Sequence, residues 1–72
     1  MSQIPQTVET LAQMGANIEI TAAAGFIPQS VERIIQIAVG RGGRVTIDAS
    51  GYIPSSLERF VQIGGNSVTI RV

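Results

Sequence analysis

The chain is predicted to be an α/β protein: a short right-handed αβ solenoid in which a three-stranded parallel sheet carries three helices on one face. Three observations predict this. The run Gly25-Phe26-Ile27-Pro28-Gln29-Ser30-Val31-Glu32-Arg33-Ile34-Ile35-Gln36-Ile37 returns 26 residues later as Gly51-Tyr52-Ile53-Pro54-Ser55-Ser56-Leu57-Glu58-Arg59-Phe60-Val61-Gln62-Ile63. A fainter copy, Ile4-Pro5-Gln6-Thr7-Val8-Glu9-Thr10-Leu11-Ala12-Gln13-Met14, opens the chain. After each copy come a glycine-containing turn and a short alternating run: Ile18-Glu19-Ile20, Val45-Thr46-Ile47 and Val68-Thr69-Ile70. One helix-turn-strand unit is thus written three times, at about 4–22, 27–49 and 53–72, within a single 72-residue domain. A period of about 20 to 50 residues marks a solenoid, in which no unit buries its apolar face alone.

Pro5, Pro28 and Pro54 mark the helix starts, because proline at the first helical position forfeits no intrahelical hydrogen bond. Thr7, Ser30 and Ser55 or Ser56 lie beside them, with Glu9, Glu32 and Glu58 following, and both residue types suit the positive end of a helix. The cap is one of these hydroxyls or the isoleucine before the proline. Val31, Ile34, Ile35 and Ala38 follow helical spacing, Leu57, Phe60 and Val61 repeat it, and Val8, Leu11 and Ala12 form a weaker version. Glycines at 15, at 40, 42 and 43, and at 64-65 end the helices. The middle connection is three residues longer than the last, either as a further helical turn or as a longer loop carrying Arg41 and Arg44.

The strands alternate. Ile18, Ile20 and Ala22, then Val45, Ile47 and Ala49, then Val68, Ile70 and Val72 are expected to point inward. Glu19 and Thr21, Thr46 and Asp48, Thr69 and Arg71 point outward. A helix between successive strands implies a right-handed crossover and parallel neighbours. Ile27 and Ile53 hold a constant place between strand and helix and are expected to be buried and stacked, with Ile4 completing the row. Phe26 and Tyr52, one place earlier, are expected to cover the open end of the helix–sheet sandwich.

Composition narrows the function. The chain has no Cys and no His, which removes disulfides, thiolate metal sites, the commonest metal ligand and the commonest general base; no cofactor or metal is implied. Arg33, Arg41, Arg44, Arg59 and Arg71 balance Glu9, Glu19, Glu32, Asp48 and Glu58, whereas a nucleic-acid binder normally carries a positive footprint. Only 14% of residues are charged and 44% are hydrophobic, a balance that favours association in so small a domain. The opening residues have no basic and apolar leader pattern. The most apolar run, Ile34 to Val39, is broken by Gln36 and is too short to span a bilayer. A cytoplasmic chain with neither nucleic-acid nor membrane partners is expected.

The segment Val45-Thr46-Ile47-Asp48-Ala49-Ser50-Gly51-Tyr52-Ile53-Pro54-Ser55-Ser56-Leu57 resembles a leucine-rich repeat of the type in which a short strand is followed by Ser-Gly-x-Ile-Pro-x-x-Leu. The resemblance covers residues 17 to 72 and, faintly, the first sixteen. Two departures stand out: small residues, Ala22 to Ala24 and Ala49-Ser50, replace the family's buried asparagine, and the convex side is a full helix. In that family the outward strand face binds protein partners. By position, the resemblance assigns that role here to Glu19, Thr21, Thr46, Asp48, Thr69 and Arg71.

Other clusters have structural readings. Gly40-Arg41-Gly42-Gly43-Arg44 runs from helix to strand, the reverse of a phosphate loop, and is read as helix termination. The glycine shared by the loops before the helices, Gly25 and Gly51, is read as a positive-φ turn. Glu32-Arg33 and Glu58-Arg59 are read as a solvated face of mixed charge, with Glu32 about 10 Å from Glu58 at helix-packing distance. Asp48 is expected beside Arg71 across the strands, with Glu19 and Thr21 on its other flank, and with no acid–base partner for catalysis. Gln13, Gln36 and Gln62 share one register, either as a ladder or as a polar face. The chain is therefore not expected to be an enzyme. It reads as a non-catalytic protein–protein interaction or assembly module. The alternatives are a small regulatory protein binding an anionic ligand through Arg41, Arg44 and Arg71, and a subunit whose site is complete only on assembly. Val68, Ile70 and Val72 form a last strand with one charge and no protecting proline, an edge expected to join a second copy antiparallel in a homodimer.

Overall fold

Helices α2, Pro28–Arg41, and α3, Pro54–Gly64, begin on their prolines in the computed structural model, which describes residues 5–72; α1 is Pro5–Gln13. Each is followed by a strand, β1 Ile18–Ile20, β2 Val45–Asp48 and β3 Val68–Arg71. Ile27 and Ile53 are the caps of α2 and α3. Both are extended, with ψ 154° and 157°, and neither helix start has a side-chain cap. The amides of Ser30 and Ser56 instead donate to the Ile27 and Ile53 carbonyls at 3.0 and 3.1 Å. Proline at the first position makes this possible, since it supplies helical φ in advance and leaves one fewer amide to satisfy.

The longer middle connection is a further helical turn: α2 has 14 residues and α3 has 11. Gly42, at φ 76°, closes it in the left-handed conformation. Its neighbour Gly43 is needed for a different reason, because a Cβ there would lie 2.8 Å from the Ala16 carbonyl oxygen. The glycine-rich run thus ends a helix and lets the next strand approach the first unit closely.

The fold is mixed α/β, with an open, three-stranded parallel sheet in the order β1-β2-β3. Ile18, Val45 and Val68 are in register, as are Ile20, Ile47 and Ile70. Between these rows lies the register Glu19, Thr46, Thr69, and after them the pair Asp48 and Arg71. The core joins Ile20, Val45 and Ile47 of the sheet to Val8, Ala12, Val31, Ile34, Ile35, Ala38 and Phe60 of the helices. The thin dimension of the molecule is 18 Å, enough for one helical layer on one sheet. Among the described residues nothing covers the opposite face of the sheet. No helix among them is long and apolar enough to cross a membrane.

Several inward expectations are corrected. Ile27 and Ile53 are exposed, at 59% and 65%, and do not form a buried stack. Ile4 lies outside the described residues. The alternation of an extended cap segment explains the reversal, since adjacent residues face opposite ways and the aromatic residue takes the inner side. Phe26 is buried, and Tyr52 is half-buried with its ring edge-on to Phe60 at 5.3 Å. Ala22 and Ala49 leave the strands into short 3-10 turns, Ala22–Ala24 and Ala49–Gly51. Ala22 is exposed and Ala49 half-buried. Val72 lies beyond β3 and is fully exposed, so the edge strand offers Val68 and Ile70 without it. Gly25 has the expected positive φ, but Gly51 does not. A Cβ on Gly51 would meet the Ala22 Cα at 3.1 Å, so close packing of the two turns is its constraint.

Substitutions separate these environments. A Cβ at Gly64 would run into the Cγ2 atoms of Val68 and Ile35. Gly64→Ala is expected to destabilise the domain by about 1–3 kcal/mol through overpacking, although alanine is the better helix former. Phe60→Ala removes a fully buried ring and is expected to cost about 3–5 kcal/mol. Ile53→Ala is expected to stay within about half a kcal/mol, as exposed positions usually do. Denaturant midpoints of the three variants check the ordering.

Candidate functional site

The uncovered sheet face carries all six residues that the resemblance assigns to partner contact, but it organises them in its own way. Arg71 stands opposite Asp48 in register, yet its guanidinium reaches diagonally over β2 to Glu19, with Nη2 2.7 Å from Oε2. Asp48 turns to its own chain. Its Oδ1 accepts from the Ser50 amide at 3.0 Å and from the Ser50 hydroxyl at 2.7 Å, capping the 3-10 turn that follows β2. The Ser50 hydroxyl, then the Ser50 amide, hold the Asp48 carboxyl below its usual range, with smaller help from the Ala22 amide and from Arg71. Thr46 lies on the central strand, Thr69 on the edge strand β3, and Thr21 is exposed just past β1. The face is therefore hydroxyl-rich and crossed by one exposed ion pair.

The helical side carries a second feature. Arg33 Nε donates to Glu9 Oε1 at 2.8 Å, and Arg59 Nε donates to Glu32 Oε1 at 2.9 Å. Each bond joins one helix to the next. The two carboxylates are sheltered, with side chains 18% and 20% exposed, while the arginines remain mostly in water. The repeated Glu-Arg dipeptide held this information, but comparing Glu32 with Glu58 hides it: the partner of each acid is the arginine one unit later. Glu58 holds the matching position on α3, is exposed, and has no ionic partner among the described residues. It lines a groove with Leu57, Val61, Gln62 and Ile70 along the outer edge of α3 and β3.

The remaining candidates do not converge. Arg41 and Arg44 sit at the end of the sheet where the strands begin, Arg71 where they finish. Three residues of strand, about 10 Å, separate Val68 from Arg71, so one anion cannot engage all three arginines. Gln13, Gln36 and Gln62 are exposed, and no hydrogen bond links them to one another among the described residues. No group of three or more potential metal-ligating side chains gathers among the described residues. The Tyr52 hydroxyl donates to the Phe26 carbonyl at 2.9 Å, linking successive loops across 26 residues. Burial raises the pKa of this phenol. No protein-family model, curated protein or solved structure matches the chain.

Two titrations follow. The Asp48 pKa is depressed on folding, so its stabilising share is present above the unfolded value of about 3.9 and is lost as pH falls through the folded one. Asp48→Ala is expected to lower the melting temperature at neutral pH, and the gap is expected to close as the solution is acidified below that range. The folded pKa of Tyr52 is raised, so its share is present below about 10 and lost as pH rises through the folded value. The chain has a single tyrosine, so tyrosinate absorbance reports this site alone and is expected to titrate above the midpoint of the unfolded chain. Tyr52→Phe is expected to cost about 1 kcal/mol, the net value of one such hydrogen bond.

Proposed function

We propose that this chain is a non-catalytic protein-interaction or assembly module, built as a short right-handed αβ solenoid of leucine-rich-repeat-like type. The observation that carries the reading is the α3–β3 end. There an apolar groove of Leu57, Val61 and Ile70 runs beside a strand edge that no described residue pairs. Val61 is 43% exposed, whereas its counterparts Ala12 and Ile35 are fully buried. The polar sheet face, with Thr21, Thr46 and Thr69 around the Glu19–Arg71 pair that crosses it, supports a second contact surface of the kind the family resemblance implies. The anion-binding alternative draws no support from the arginines, which lie at opposite ends of the sheet.

Sedimentation equilibrium across concentration tests this reading. Wild type is expected to associate weakly. Val61→Arg is expected to abolish the association while leaving the melting temperature nearly unchanged, because the residue belongs to a contact between molecules. A wild type that stays monomeric at every concentration, or a Val61→Arg that associates equally, removes the α3–β3 end from the reading. Saturable heat on titration with nucleotides or phosphorylated metabolites would replace it with the anion-binding one.

A further inference from the structure

We infer that the α3–β3 end is a docking site for a helix–strand unit of another polypeptide that carries an arginine at the position held by Arg33 and Arg59 in this chain. The inference rests on the interaction-module reading and names its partner's chemistry. Each interface inside the molecule uses the same elements. A helix turns a sheltered glutamate forward to the next, Glu9 on α1 and Glu32 on α2, beside two buried apolar residues, Val8 and Ala12 on α1 and Val31 and Ile35 on α2. The following helix answers with an arginine and a buried apolar residue, Arg33 with Ile34 and Arg59 with Phe60. On α3 the forward set is complete: Glu58, Leu57 and Val61. Only the answering helix is missing. Beside it the outer edge of β3 offers backbone donors and acceptors to a parallel strand, as β2 does to β3.

A second copy of this chain does not supply the answer. In a head-to-tail contact α1 would follow α3, and its residue at the arginine position is Thr10, whose hydroxyl donates to the Gln6 carbonyl of its own helix. Leu11 beside it, 42% exposed, would supply the apolar half alone. In a twofold contact the patch meets itself. The groove residues Leu57, Glu58, Val61, Gln62 and Ile70 include no cation. Either arrangement would cover Glu58 without a partner, which is unfavourable and keeps self-association through the apolar residues weak. Charge complementarity therefore selects a different unit, one bearing the arginine.

The chain can be turned into its own probe. The acceptor is the wild-type protein. The probe is the same chain with Thr10→Arg, and with Val61→Arg to close its own acceptor end; the reference probe carries Val61→Arg alone. Binding is read by nuclear magnetic resonance shift titration of labelled acceptor. Thr10→Arg is expected to tighten binding on the order of threefold to fivefold, as for a sheltered surface ion pair, with the shifts centred on Glu58, Val61 and Ile70. The gain is expected to vanish on a Glu58→Gln acceptor and to shrink as salt rises. A Thr10→Arg probe that binds no more tightly than the reference, or a gain that survives Glu58→Gln, overturns the inference. The module reading stands apart from that result, because it fails only if the weak wild-type association is absent or insensitive to Val61→Arg. Thr10→Arg in the otherwise wild-type chain is a second measure: it is expected to form head-to-tail oligomers by mass, and a mass unchanged from wild type counts against the inference equally.

Discussion

Everything in this fold depends on side-by-side burial between helices that cannot bury themselves. Ile34 and Ile35 are adjacent in sequence and both fully buried, falling to either side of the centre of the apolar stripe. α2 also packs against both α1 and α3, and Ile35 lies against Gly64 of α3. The same two positions on the outer helices are each half satisfied: Leu11 is exposed while Ala12 is buried, and Phe60 is buried while Val61 is exposed.

The polar interactions follow the same direction. Glu9 to Arg33, Glu32 to Arg59 and Phe26 to Tyr52 all run from one unit to the next, 24 to 27 residues along the chain. None is strong alone, since partly exposed ion pairs contribute about 0–1 kcal/mol each. Their value is in register: each fixes how far one helix slides along another, and the apolar residues beneath then meet in one arrangement. Close approach imposes the matching steric limit, with Gly43 against Ala16, Gly51 against Ala22, and Gly64 against Ile35 and Val68. A directional set of contacts leaves a directional surface at each end, which is why the two ends of this molecule differ in chemistry.

Much of this was legible in the chain. Proline and glycine punctuate the helices because their effects are confined to their own backbone, and the periods of 3.6 and 2 separate helix from strand for the same local reason. The outward set Glu19, Thr46, Asp48, Thr69 and Arg71 also followed from alternation within single strands. The site was less legible. Asp48 and Arg71 are cross-strand neighbours, yet each carboxylate and guanidinium chose the nearest well-placed partner in three dimensions, Ser50 for one and Glu19 for the other.

The sequence by itself determined the elements, their order and the parallel sheet, because these arise from restrictions acting over a few residues and from a repeat that copies them. Tertiary structure alone decided which of Phe26 and Ile27, or Tyr52 and Ile53, turns inward, and which arginine each glutamate meets. Both depend on the angle and offset at which one unit lies against the next. That offset is set by the summed packing of Ile34, Ile35, Phe60 and the glycines between them, and no window of a single unit contains it.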